Sequence, residues 1–185
     1  MFEIHVSSSM NRKLFAISIL FFLAVNTFAQ SKVTRSSVTF KIKNLGFNVS
    51  GTFSGFNADI NFKRVNLAGS SIEASVASNT VNTDNESRDN HLKSEDYFDV
   101  AKYPKITLKS VSFKHKSGSN YTGSFNVTIK DKTKLIEIPF TYIEAGSTAT
   151  FKGDFQVLRT DFGIGGKTVI LSNEANLSVE TEISK

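Results

Sequence analysis

The sequence contains no cysteine, no tryptophan and only two prolines in 185 residues. Without cysteine there is no disulfide scaffold, no thiolate metal site, no cysteine nucleophile and no N-terminal cysteine to carry a lipid anchor. The hydrophobic fraction, 39%, is low for a globular chain, yet 17 phenylalanines make it too aromatic for a disordered one. A net charge of +5 is spread thinly. With no block of like charge, nucleic acid is not an expected partner. Internal repeats are also missing, which argues against a propeller or solenoid. There is no G-x-S-x-G, no P-loop order and no pair of carboxylates in an apolar setting, so no catalytic residue is assigned. His91 and His115, the only histidines beyond residue 30, lack the i, i+4 spacing of a helical zinc pair, so no metal ligand is assigned either.

What is present begins with an export signal. Arg12 and Lys13 precede an apolar run from Leu14 to Val25 that only Ser18 interrupts. Thr27 and Ala29 occupy the −3 and −1 positions of a cleavage site. A membrane span needs about 20 apolar residues, more than this run supplies; an uncleaved anchor is the rival reading. The expected layout is a signal peptide over residues 1–29, removed near Ala29, and a single domain over residues 30–185. The expected location is periplasmic or secreted, with no stable membrane insertion of the mature chain.

From there the chain is written in period two, the signature of strands that bury one face. Val38, Phe40 and Ile42 alternate with polar residues, and the parity changes at Asn44, where a turn or bulge is expected. Leu45, Phe47, Val49 and Phe53 follow, then Ile60 and Phe62, then Ile72, Ala74 and Val76. Ile106 and Leu108 lead to a second flip before Val111 and Phe113. Tyr121 to Ile129, Ile136 to Tyr142 and Phe151 to Val157 are clean alternating runs. Val169 and Leu171 form a short, weaker one, and Leu177 to Ile183 close the chain. Connectors such as Gly118-Ser119-Asn120 and Lys130-Asp131-Lys132 have hairpin chemistry. The expected fold is all-β: eight or more antiparallel strands in a closed up-and-down barrel or a sandwich, with Gly51, Gly123 and Gly153 favouring the barrel because closure needs sharp bends. The break in pattern comes at Thr83-Asp84-Asn85-Glu86, a capping-box spacing that predicts a short helix over about 84–94 between strands.

The segment from Arg88 to Pro104 (RDNHLKSEDYFDVAKYP) resembles the signature R-D-x-H-L-x-S-x-D-F-F-D-x-x-x-Y-P of the YceI-like family. Arg159-Thr160-Asp161-Phe162-Gly163-Ile164 resembles its second signature, R-x-D-F-G-I. Ser36 to Phe40 and the Gly51–Phe56 stretch look like family features too, so the likeness runs over about residues 33–184. Arg35 and Asn44 stand where members of the family commonly carry histidines, and Lys63 where an aspartate is frequent. No role of those residues is carried over. The resemblance implies a lipocalin-like barrel of eight antiparallel strands with one short helix, which holds a long isoprenoid lipid. No other cofactor is expected, and a homodimer is open.

The parity and the signatures give a candidate lining: Phe40, Ile42, Phe47, Phe53, Ile72, Val76, Leu92, Tyr97, Phe98, Ile106, Leu108, Phe125, Val127, Ile138, Phe140, Phe151, Phe155, Val157, Phe162, Leu177 and Val179. The alternation is first of all a core signal, and plain packing is the rival reading of each. Arg88, Asp89, Arg159 and Asp161 are the candidate polar mouth. They engage a ligand head group, or they form an Arg–Asp lattice that pins the loops. Three functions follow: an isoprenoid-binding protein, an enzyme on a small hydrophobic substrate inside the barrel, or an outer-membrane barrel. The polar outer parity, as in Thr39, Lys41 and Lys43, argues against the last.

Overall fold

The structure, a computed structural model, describes residues 31–185. The expected signal peptide and its cleavage site lie outside the described residues. Nine strands form one antiparallel sheet: β1 (Lys32–Asn44), β2 (Phe47–Phe53), β3 (Asn57–Asn61), β4 (Ser71–Ala77), β5 (Lys105–Ser117), β6 (Asn120–Ile129), β7 (Lys132–Ala145), β8 (Thr148–Leu158) and β9 (Leu171–Ser184). One helix, α1 (Glu86–Lys93), lies between β4 and β5. The neighbour order β2-β1-β9-β8-β7-β6-β5-β4-β3 joins the first strand to the last.

The count is nine rather than the expected eight because one stave is broken. β2 covers Val38 to Asn44 of β1. The chain then bends at Ser54–Phe56, where Gly55 takes φ +67°, and β3 runs on beside β1 without a ladder. A left-handed φ of this kind strains any residue with a Cβ. The bend is tied across the gap. Thr52 and Asn82 exchange backbone hydrogen bonds of 2.8 and 3.1 Å, and Ala77 N donates to Ser54 O at 3.3 Å.

The two parity changes are now explicable. Leu45 and Gly46, at φ 50° and 81°, form a two-residue hairpin turn between the paired Asn44 and Phe47. In β5 the register slips between Ser110 and Ser112, so Val111 is the extra residue of a bulge and faces solvent while Phe113 returns to the core. The short run at Val169 is not a strand; Val169 and Ile170 are exposed, and β9 is continuous from Leu171. The glycines act by size. A Cβ on Gly51 would run into the Phe40 ring, and one on Gly123 into Phe125.

Pro139 marks where β7 leaves β8: their last pair is Phe140 with Gly153. A proline has no N–H to continue a ladder. The opening is filled by a 3-10 turn, Arg159–Phe162, whose Phe162 is buried in the main core.

The two ends of the barrel differ. At the far end Phe62 is the centre of an aromatic cluster, with ring centroids 4.9 to 5.7 Å from Phe113, Tyr121, Phe140, Tyr142 and Phe151. Outside that cluster Glu144 gathers three partners: Tyr142 Oη donates to it at 2.8 Å, Lys185 Nζ at 3.1 Å and Arg64 at 3.4 Å. Burial pushes the Tyr142 phenol up. The Tyr142 hydrogen bond, then Lys185, holds Glu144 below the ordinary carboxylate value of 4.5. A carboxylate depressed in the folded state stabilises the fold above its unfolded pKa and loses that contribution as pH falls through the folded value. Glu144 is on the surface, so the effect is small. Between about pH 5 and pH 3 wild type should lose about 1–3 °C more in melting temperature than Glu144→Gln. Parallel curves in thermal melts would show that the clasp contributes nothing.

Candidate ligand cavity

The opposite end carries α1 and the turns after β1, β6 and β8. Asn85 caps α1, its side chain accepting from Arg88 N; Glu86 and Asp89 lie in the first turn, His91 and Lys93 in the last. The capping box expected from Thr83 is therefore not formed. Thr83 Oγ1 donates to Asp89 Oδ1 at 2.5 Å instead, and Thr83 N donates to the same oxygen at 2.9 Å. Arg88 completes the knot, giving Nε to Thr83 Oγ1 and Nη2 to the Thr83 carbonyl, both at 2.7 Å. After α1 the chain folds back: Phe98 N donates to the Leu92 carbonyl at 3.0 Å. This sets the Phe98 ring edge-on to Phe53 at 5.4 Å, and Tyr97 against His91 at 4.7 Å.

Under this cover the barrel is hollow. A cavity of about 550 Å³ runs from the helix end down to Phe140, Phe151 and Thr181. That is within the range of small-molecule sites, about 300–1,000 Å³. The walls are aliphatic and aromatic. Inward residues from the strands supply them, so the period-two pattern that built the sheet also built the lining.

All but three of the expected lining residues reach the cavity: Phe40, Ile42, Phe53, Ile72, Val76, Leu92, Tyr97, Phe98, Ile106, Leu108, Phe125, Val127, Phe140, Phe151, Phe155, Val157, Leu177 and Val179. Ile138 and Phe162 are instead buried core behind the wall. Phe47 has the inward parity of Val49 but sits past the end of the barrel, where it is 77% exposed. The candidate lining omitted Val38, Val49, Ile60, Ala74 and Ala175. The first four stand on the alternating apolar faces read from the sequence, Val38 with Phe40 and Ala74 with Ile72. Leu171 belonged to the short run at Val169; Thr168 and Ile170 at the mouth carry no such signal.

Of the four polar candidates, Arg88 and Arg159 line the cavity; Asp89 is buried against Thr83 and Asp161 is exposed. Among the described residues neither arginine forms an ion pair, so the expected Arg–Asp lattice is replaced by arginines on threonine and backbone oxygens. Arg159 is only 3% exposed. Its Nε donates to Ser172 O at 2.8 Å, Nη1 to Ile164 O at 2.7 Å and Gly166 O at 2.5 Å, and Nη2 to Leu171 O at 3.1 Å. The guanidinium thus ties together both ends of the loop at the mouth. Asn44, at the mouth as well, keeps a solvent-shielded Oδ1 with no hydrogen-bond partner among the described residues. No group of three His, Cys, Asp or Glu among them is placed to hold a metal ion.

Comparison with known proteins gives the same outline. The model of the YceI-like domain matches residues 30–183. A UPF0312 protein of Vibrio cholerae is 29% identical over 141 residues, 72% of this chain and 75% of its own length. The crystal structure of Burkholderia cenocepacia BcnA superposes with a TM-score of 0.76 at 24% identity, covering 80% of this chain and 95% of its own. A polyisoprenoid-binding domain from Saccharophagus degradans, implicated in plant cell wall breakdown, has a TM-score of 0.67 at 11% identity, covering 84% and 97%. At such identities the two structures speak for the fold alone.

Proposed function

This chain belongs to the YceI-like domain family, and on that premise we propose that it binds a long isoprenoid lipid, of quinone or polyprenyl type, in its barrel interior. The lipid is held for transport, storage or sequestration in an exported compartment. The observation that carries the reading is the cavity: large, and lined almost wholly by apolar side chains. The polyisoprenoid-binding domain of the same fold supports it, as does the family, which favours a binding protein over an enzyme.

The chemistry is dominated by area. Buried apolar surface contributes about 25 cal/mol per Å² before ordering costs are subtracted. A dry cavity of about 150 Å³ holds one benzene. By that scale this one takes roughly four or five C5 units, and the remainder of a longer chain, with its head group, stays at the mouth. There the shielded Asn44 Oδ1 offers an acceptor to a head-group hydroxyl, such as that of a polyprenol or a quinol.

The test is mass spectrometry of an organic extract of protein purified natively from its own host. A co-purifying isoprenoid near one per chain is expected. Protein that is empty and takes up neither quinones nor polyprenyl lipids would sink the reading. A filled cavity gives the control. Ala74 and Ala175 are small lining residues, and Ala74→Phe with Ala175→Phe should reduce lipid uptake at least about tenfold while changing stability by less than about 2 kcal/mol. Undiminished uptake would place the lipid elsewhere.

A further inference from the structure

The cavity mouth is ringed by apolar side chains that nothing covers. Leu45 is 65% exposed, Phe47 77%, Ile170 51%, and Val169 is fully exposed. They come from two segments held together by a hydrogen bond from Leu45 N to Ile170 O at 2.7 Å. Single exposed apolar residues are ordinary; four on one rim are not. The rim is continuous with the interior: Ile170 is half exposed and also lines the cavity, with Leu171 and Ile42 below it. The charge next to these apolar residues is basic: residues 41–48 and 162–173 contain Lys41, Lys43 and Lys167 and no acidic residue. Asp161 and Glu174 flank the second segment, and Glu95, Asp96 and Asp131 also lie at this end, beside Lys130 and Lys132.

We propose that this collar docks the protein, mouth down, on the surface of an anionic lipid bilayer. The proposal rests on the lipid-binding reading, and it explains a feature that reading leaves idle. A long isoprenoid is almost insoluble in water, so loading from a membrane needs a continuous apolar path. Leu45, Phe47 and Val169 enter the boundary between head groups and acyl chains, and the lysines meet the anionic head groups. The polar outer faces of the strands, and Arg159's grip on the loop that bears Val169 and Ile170, keep insertion shallow.

The experiment is flotation of the full chain with vesicles of phosphatidylcholine alone and of phosphatidylcholine with 30% phosphatidylglycerol. Alongside it runs uptake of geranylgeraniol delivered on cyclodextrin, without any membrane. Wild type should float with the anionic vesicles, and less with the neutral ones. The triple variant L45S/F47S/V169S should lose at least about tenfold in vesicle binding, with cyclodextrin uptake unchanged. Wild type that takes up geranylgeraniol but stays with neither vesicle overturns docking and leaves the lipid-binding reading intact. Equal flotation of wild type and variant also overturns it. So does a variant whose only change is the loss of self-association, which would make the collar a contact between two copies. Wild type that floats but takes up nothing upholds docking and counts against the cavity reading instead.

Discussion

Arg159→Met should lower the unfolding free energy by about 4 kcal/mol or more, a loss of about 10–15 °C in melting temperature for a domain of this size. The side chain is buried, and its donors satisfy the carbonyls of Ile164, Gly166, Leu171 and Ser172. Methionine fills similar volume and leaves all four oxygens without that donor. Each stranded group costs about 1–3 kcal/mol, moderated where water can enter. Lysine should not rescue the fold, because a single ammonium cannot reproduce a planar fork that reaches carbonyls on two sides. Denaturant titration with intact m-values measures the loss. A drop below about 1 kcal/mol would mean that the loop holds its shape without the arginine.

Phe140→Ala should cost about 3–5 kcal/mol, the range for deleting a buried phenylalanine. Phe140 is 8% exposed. Its ring stacks on Tyr121 at 5.6 Å and meets Phe62 at 5.7 Å and Phe113 and Phe151 at 6.1 Å. It also forms part of the cavity floor. Its removal therefore has a second consequence that a plain core residue lacks: the floor drops, and the variant should accept a longer isoprenoid chain than wild type does. Chain-length profiles of the bound lipid, measured below the melting temperature, would show it. An unaltered profile with the expected stability loss would make Phe140 packing only. Replacing Phe125 or Phe140 with a charged residue should lower stability and uptake together.

Much of this was legible in the sequence because one physical rule governs both fold and cavity. Alternation puts Phe40, Ile72, Phe125 and Val157 on one face, and in a sheet curled this far that face is the inside. The two signatures pointed to the family that the domain match over residues 30–183 shows. What escaped lies where alternation ends. Phe47 continues the inward parity of Val49, but parity cannot say that the barrel stops first. Ile138 and Phe162 are buried for reasons of splay at Pro139, which depends on which strand leaves which neighbour. Thr83 and Glu86 have the spacing of a capping box, yet Asn85 makes the cap, and Thr83 is taken by Asp89 and Arg88. Arg159 looked like one half of a charge pair; only the loop's path shows that it serves backbone carbonyls.

The aromatic cluster around Phe62 has a kinetic consequence. The cluster closes the far end of the barrel, so on the proposed reading a bound lipid would leave by the mouth through which it entered. Its tail goes in first and comes out last. A second lipid cannot push the first one through, and exchange must wait for departure. The exchange rate should then stay constant as competitor concentration rises. If the proposed lipid is carried from a donor to an acceptor, both would be met by the same rim, one after the other, and the protein would have to turn away from one before it served the next.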